Sequence, residues 1–260
     1  MSIHPTAVIE DGAELGEVQV GPFCYVGSKV RLHGGVSLHA HVVVTGNTEI
    51  HAGTSVHSFS VLGGPPQHLR FDNEQTKLVI GKNNTIREYV TMNCGTIEGG
   101  GETSVGAGGY FMTGAHIAHD CRVGDNVIFA NNATLGGHVT VGEMAFLGGL
   151  CAVHQFSRIG DYAFIGGCAA VTSDIIPFAS AIGNHAYLVG LNVVGLKRQK
   201  FSRATIKELR EAYTLLFSEK DTFRERVEVV RKSFSHSEEV LRILKFVDET
   251  KSRPLMTPAR

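Results

Sequence analysis

The sequence predicts a mainly β protein, a tightly wound solenoid followed by a small C-terminal α-helical domain. Two observations carry this. An aliphatic or aromatic residue recurs at every sixth position through Val105, Phe111, Ile117, Val123, Phe129, Leu135, Val141, Leu147, Val153, Ile159, Ile165 and Val171. Neither an amphipathic helix nor an open sheet has that period, whereas a solenoid built of hexads does. After Pro177 the beat stops, and apolar residues return at helical spacing.

Each hexad places a buried beat, a corner, a small buried residue four positions on (Ala115, Cys121, Ala133, Ala145, Cys151, Ser157) and an outward residue. Gly follows many beats, as at Gly106, Gly124, Gly136 and Gly148, suiting a bend that needs positive φ or no Cβ. Three hexads would close one triangular coil of eighteen residues, leaving function to the outer surface. The same beat opens the chain at Ile3, Ile9 and Leu15, drops one residue, and resumes from Val20 to Leu62. It is interrupted by polar insertions at 64–77 and 94–103, and loops on a rigid scaffold often carry binding residues. The expected domains are therefore a solenoid over 1–186 and a helical domain over 187–260.

In the second domain a basic cluster, Lys197, Arg198, Lys200 and Arg203, precedes three helical segments. Ser202 can cap a helix with Ile206, Leu209, Tyr213 and Leu216 on its apolar face. Asp221 or Thr222 can start a second with Phe223, Val227, Val230 and Phe234. Ser235 and Glu238 form a capping-box pattern before Val240, Leu241, Leu244 and Val247. The proline-bearing tail from Ser252 is expected to be poorly ordered.

Composition excludes several classes. A net charge of −1 supplies no field to recruit nucleic acid or an anionic membrane. No apolar run approaches a membrane span, so no membrane insertion is expected. Five cysteines without a Cys-x-x-Cys pair read as reduced thiols in a cytoplasmic protein, with Cys121 and Cys151 as core filler.

Four histidines lie in the uninterrupted block: His116, His119, His138 and His154. Modulo eighteen, His119, His138 and His154 fall at neighbouring corner positions of successive coils, projecting outward, with His116 a short step away on a strand. Asp120 and Gln155 share the corner, and Gly136-Gly137 offers backbone amides beside His138. A histidine steered by a carboxylate is a general-base arrangement, and a Gly N–H can approach a developing oxyanion. No serine or cysteine is paired with these histidines, which favours direct transfer over a covalent enzyme intermediate. Polar corner residues facing water are the plain alternative.

The runs Gly114-Ala115-His116-Ile117-Ala118-His119-Asp120-Cys121, Gly137-His138-Val139, Val153-His154-Gln155-Phe156, Gly183-Asn184-His185-Ala186 and Gly195-Leu196-Lys197-Arg198, set in hexad repeats, closely resemble the UDP-N-acetylglucosamine O-acyltransferases of lipid A synthesis. The resemblance covers essentially the whole chain. It implies a left-handed parallel β-helix, a homotrimer with sites between subunits, no metal or cofactor, and transfer of a 3-hydroxyacyl chain from acyl carrier protein to UDP-GlcNAc. By the same resemblance His119 is the general base, Asp120 its orienting carboxylate and the Gly137 amide the oxyanion donor. His116, His138 and His154 position sugar and acyl donor, while Gln67, His68, Arg70, Gln155, His185 and Asn192 line the substrate sites. Arg198 and its basic neighbours receive the acidic carrier. Gly167 matches the position that limits acyl length and implies a long chain.

Four departures touch the substrate shell: His68 stands where the family often has Asp, Val194 for Glu, Gln199 for Arg, and Asn93-Cys94 for His-Arg. They leave open an acceptor sugar carrying a 3-amino group. Two rivals come from other classes. One is a zinc hydratase of the gamma carbonic anhydrase type, which also sets histidines on coiled hexads; the other is a noncatalytic scaffold.

Overall fold

The computed structural model describes residues 1–72, 74–249 and 252–259. Within them, strands of two to five residues stack into three faces of eleven, nine and eight strands, wound as a left-handed coil. The first face begins at Ser2–Ile3, the second at Val8–Ile9 and the third at Glu14–Leu15. Pairing is parallel throughout, except that Tyr187–Leu191 folds back antiparallel on Ala179–Ile182 and ends the first face.

The register repeats the sequence period. Arg122 pairs with Ser104 before it and Thr140 after it, eighteen residues each way. At the start Ser2 pairs with Gln19, the coil in which the beat loses one residue. Beats such as Ile117, Phe129, Leu135 and Leu147 are fully buried, as are Ala115, Cys121, Ala133 and Ala163 four residues after a beat. Each Leu or Ile so buried contributes about 1.5–3 kcal/mol, and the column is continuous along the axis.

The glycines directly after the beats from Val105 onward act through their missing Cβ, not through positive φ. A Cβ at Gly124 would lie 2.8 Å from the Glu143 nitrogen of the next coil. Positive φ falls instead two residues later, on Gly108 and Gly114 but mostly on side-chain-bearing residues such as Asp120, Asn132, His138 and Phe156. Neighbouring coils over-determine that conformation, since each such residue donates its N–H to a carbonyl or hydroxyl of the coil before, as His138 does to the His119 carbonyl at 3.0 Å.

Both insertions leave the column at one corner, between second and third faces. The first joins Val61–Gly64 to Lys77–Ile80, and the second joins Thr91–Asn93 to Glu102–Val105. They are stitched together: Asn93 Nδ2 donates to the Pro65 carbonyl at 2.9 Å, and the Ile97 N–H to Glu74 at 2.8 Å.

Among the described residues four helices follow the hairpin: α1 (Val193–Arg198), α2 (Arg203–Leu216), α3 (Phe223–Ser233) and α4 (Glu238–Asp248). Ser202 caps α2 and Thr222 closes a capping box with Glu225 on α3. The capping box expected at Ser235 and Glu238 does not form. Ser237 is the residue before α4 and makes no side-chain cap bond, because the chain turns through Ser237 into the helix two residues later than that pattern requires. Arg158 ties α4 to the coil, lying 4.0 Å over the Phe246 ring and bonding Asp174 at 2.7 Å.

The tail from Ser252 is not loose where it is described. Met256 is buried, the Asp174 N–H donates to the Pro254 carbonyl at 2.9 Å, and the Leu188 N–H donates to Thr257 at 3.0 Å. Its prolines lack N–H groups, but the carbonyls of Pro254 and Thr257 and the Met256 amide pair with the coil.

Candidate active site

The corner that carries both insertions also carries the histidines. His116 and Ile117 form the second-face strand one coil beyond Thr91–Asn93, so His119 and Asp120 turn the next corner directly beside the second insertion. A corner position predicts exposure, yet the side chains of His119 and Asp120 are only 9% and 0% exposed. The insertions cover them. Thr96 donates its backbone N–H to Asp120 Oδ1 at 2.7 Å and its hydroxyl to Oδ2 at 2.8 Å, while the Asp120 N–H donates to Thr103 Oγ1 at 2.8 Å. A Cβ at Gly99 would overlap the Asp120 carboxylate, so the loop closes on the carboxylate only through glycine.

His119 Nδ1 meets Asp120 Oδ2 at 2.7 Å. A carboxylate that already collects two donors from Thr96 is an acceptor here. Nδ1 of His119 therefore carries the ring proton, and Nε2 is left with its lone pair. That nitrogen faces Gly137, where a Cβ would stand 2.6 Å from Cε1 and 2.8 Å from Nε2. Glycine at 137 thus clears space for the imidazole, a steric requirement separate from its amide. The Gly137 N–H has no acceptor among the described residues.

The other rings frame this pair. His138 stands at 90° to His119 with centroids 5.2 Å apart, and its Nε2 lies 3.6 Å from Asp120 Oδ2. His68, from the first insertion, meets the His119 ring edge-on at 5.4 Å. Burial lowers the pKa of His138 despite the opposing pull of Asp120, and burial followed by the charge of His119 lowers that of His116. His116 Nδ1 lies 2.7 Å from the Thr91 hydroxyl. His154 shares the corner but not the ring stack. Phe156, eighteen residues after His138 and in the same positive-φ conformation, stacks on His138 at 4.4 Å instead.

The remaining residues singled out from the sequence fall elsewhere. Gln67 and Arg70 are exposed on the first insertion, and Gln155 is exposed beside His154. Gly167 lies exposed at the corner between first and second faces, and His185 lies in the hairpin turn by Ala170. Asn192 caps α1, accepting from the Gly195 N–H at 3.0 Å and donating to the Tyr162 carbonyl at 2.9 Å. Arg198 and Lys197 form the exposed last turn of α1, where the helix dipole favours cations. Thr96, Gly99, Thr103 and Phe156 belong to the corner and were not singled out. Phe156 carried a signal in its eighteen-residue offset from His138, and Thr103 in its offset from Cys121; Thr96 and Gly99 sit in an insertion, where no period points to them.

The ligand atoms of His119, Asp120 and His138 lie within 4.8 Å of one another, as do those of His33, Glu49 and His51. In the first group the 2.7 Å Nδ1–Oδ2 contact is too short to admit an ion, which needs about 2.0 Å to each atom at a tetrahedral angle. In the second, the His33 and His51 rings are parallel within 9°, so their in-plane lone pairs do not converge.

A corner base over a glycine amide, on a coil of hexads, defines a hexapeptide-repeat transferase, and the model for bacterial transferase hexapeptide repeats matches residues 102–137. The model for domain 2 of UDP-N-acetylglucosamine O-acyltransferase matches residues 174–256. The chain is 55% identical over 261 residues to the acyl-[acyl-carrier-protein]–UDP-N-acetylglucosamine O-acyltransferase of Caulobacter vibrioides, covering 100% of this chain and 99% of that one. It is 46% identical to the Rhizobium johnstonii enzyme of the same name, covering 99% of this chain and 95% of that one. The solved UDP-N-acetylglucosamine acyltransferase from Campylobacter jejuni superposes with a TM-score of 0.94 at 37% identity, over 99% of this chain and 100% of that one. The chain belongs to the UDP-N-acetylglucosamine O-acyltransferase family.

Proposed function

We propose that this protein transfers a 3-hydroxyacyl chain from acyl carrier protein to the 3-hydroxyl of UDP-GlcNAc, the first step of lipid A biosynthesis, by direct general-base catalysis. The observation that carries the reading is the buried His119–Asp120 pair, with Nε2 unprotonated above Gly137; family membership names the substrates.

His119 Nε2 takes the proton as the sugar oxygen attacks the thioester carbonyl, and Asp120 holds the Nδ1–H and stabilises the imidazolium. The Gly137 N–H receives the developing oxyanion. Collapse of the tetrahedral intermediate breaks the C–S bond, and the leaving thiolate takes the proton back from the imidazolium. His116, His138 and His154 position sugar and acyl donor. Gln67, His68 and Arg70, with Gln155, His185 and Asn192, line the substrate sites. Gly167, lacking a side chain, leaves room for a long acyl chain, and Arg198 with Lys197, Lys200 and Arg203 receives the acidic carrier. The solenoid (1–186) then supplies the chemistry and the helical part (187–260) the carrier contacts.

Assembly as a homotrimer is part of the proposal. Gly167 lies at a different corner from His119, with the second face between them, so a second subunit is the simplest way to bring both to one acyl chain. A cytoplasmic location is consistent with five free cysteines, and no helix among the described residues is long and apolar enough to cross a membrane.

The test is purified protein with a panel of acyl carrier thioesters and UDP-sugars carrying a 3-hydroxyl or 3-amino group, read by mass spectrometry. An O-acylated UDP-GlcNAc is expected; product only from the amino sugar would change the acceptor, and no product from either would end the reading. Stoichiometric zinc required for activity would return the hydratase.

A further inference from the structure

The C-terminal tail returns to the candidate site through one residue. Half-buried Arg253 brings Nη2 within 2.6 Å of His154 Nδ1 and donates from Nε to the Gln155 carbonyl at 3.1 Å. A guanidinium has donors and no acceptor. Nδ1 of His154 is therefore the acceptor, and the ring proton sits on Nε2. A competitor for that arrangement is already present, because His154 Nδ1 also lies 3.2 Å from the Gln155 carbonyl. Without the guanidinium between them, Nδ1 would carry the proton and donate to that carbonyl, leaving Nε2 as an acceptor. Arg253 thus selects one of two tautomers. Its backbone is held for the purpose: the next residue, Pro254, accepts from the Asp174 N–H, and the Met256 N–H donates to the Asp174 carbonyl at 2.8 Å.

We propose that Arg253 is a positioning residue of the acyl-transfer site, fixing His154 as an Nε2–H donor toward an acceptor group of the bound substrate, a phosphate oxygen or an amide carbonyl. This rests on the acyl-transfer reading above. A ring held with Nε2–H outward attracts oxygen acceptors, whereas the other tautomer presents a lone pair there and repels them. The tail is then part of the site rather than a trailing end.

The experiment uses full-length protein and the variants Arg253→Ala and Arg253→Lys, with two readouts. Steady-state kinetics should show KM for UDP-GlcNAc raised about tenfold in Arg253→Ala, the scale of one lost hydrogen bond to ligand, with kcat within about twofold and partial rescue by lysine. Imidazole 15N spectra, with the His154 signals assigned by His154→Gln, should show an unprotonated Nδ1 in the wild type and a shift of the proton to Nδ1 in Arg253→Ala. Unchanged KM, or a wild-type ring already protonated on Nδ1, overturns the proposal. A wild-type protein that transfers no acyl group would sink the functional reading alone; the nitrogen spectra still decide whether Arg253 sets the tautomer.

Discussion

Two groups of histidines sit on the same coil, and only one is built into a site. In the N-terminal coils His33 stacks on His51 at 4.6 Å and His39 on His57 at 4.3 Å, in each pair parallel within 11°. His119 and His138 are also eighteen or so residues apart, yet their rings stand at right angles and one of them is buried. A regular solenoid lays equivalent side chains one above another, so repetition by itself yields parallel stacks at coil spacing, open to water. The departure occurs where two insertions fold over one corner. Thr96 captures Asp120, Asp120 turns His119, and Gly137 leaves room for the turned ring. Function in this scaffold arises where the repeat is interrupted.

That contrast can be broken most forcefully at the base itself. His119→Ala should lower kcat by at least ~10²-fold, the low end for general-base catalysis, with thermal unfolding unchanged; turnover near wild type would remove the residue from the mechanism. Gly137→Ala should cost about 10- to 100-fold by pushing the ring off its position, and because the cause is steric, Gly137→Ser should be no better. Loss of the Thr96 hydroxyl in Thr96→Val removes one bond to the carboxylate, and about tenfold in kcat/KM is expected. If activity holds, the insertion covers the pair without orienting it.

The pH dependence of stability sharpens the comparison further. His116 and His138 have folded pKa values below the ordinary 6.5, chiefly through burial. The unfolded chain therefore binds more protons just below 6.5, so stability is complete above that pH and falls as the pH drops beneath it. Melting curves from pH 8 down to about 5 should show the loss, and His116→Gln should reduce it. The smallest effect belongs to the other histidine group. His51→Ala, at a ring about one-third exposed, should change stability by no more than about 0.5 kcal/mol and leave turnover untouched.

Hexad spacing alone placed the column, the eighteen-residue coil and the shared corner of His119, His138 and His154, because a buried beat can be read one residue at a time. It also located both insertions as breaks in the beat. Spacing could not say what the insertions touch. Thr96 and Gly99 reach the Asp120 carboxylate across more than twenty residues of sequence, and their positions in the insertion obey no period. Nor does sharing a corner make a contact: His154 lies at the same corner, but Phe156, with the φ of His138, is the ring that stacks on it.

Local composition likewise determined the ends of α2 and α3, where Ser202 and Thr222 satisfy nearby amides, since capping involves residues three apart. It misjudged the tail, whose prolines suggest disorder when the partners, Asp174 and Leu188, lie sixty residues or more away. The sequence by itself determined the repeat, because burial is paid for hexad by hexad. Only the tertiary structure decided which imidazole is buried, which nitrogen keeps its lone pair and where the last residues come to rest, because each depends on contacts between segments that have no fixed spacing along the chain.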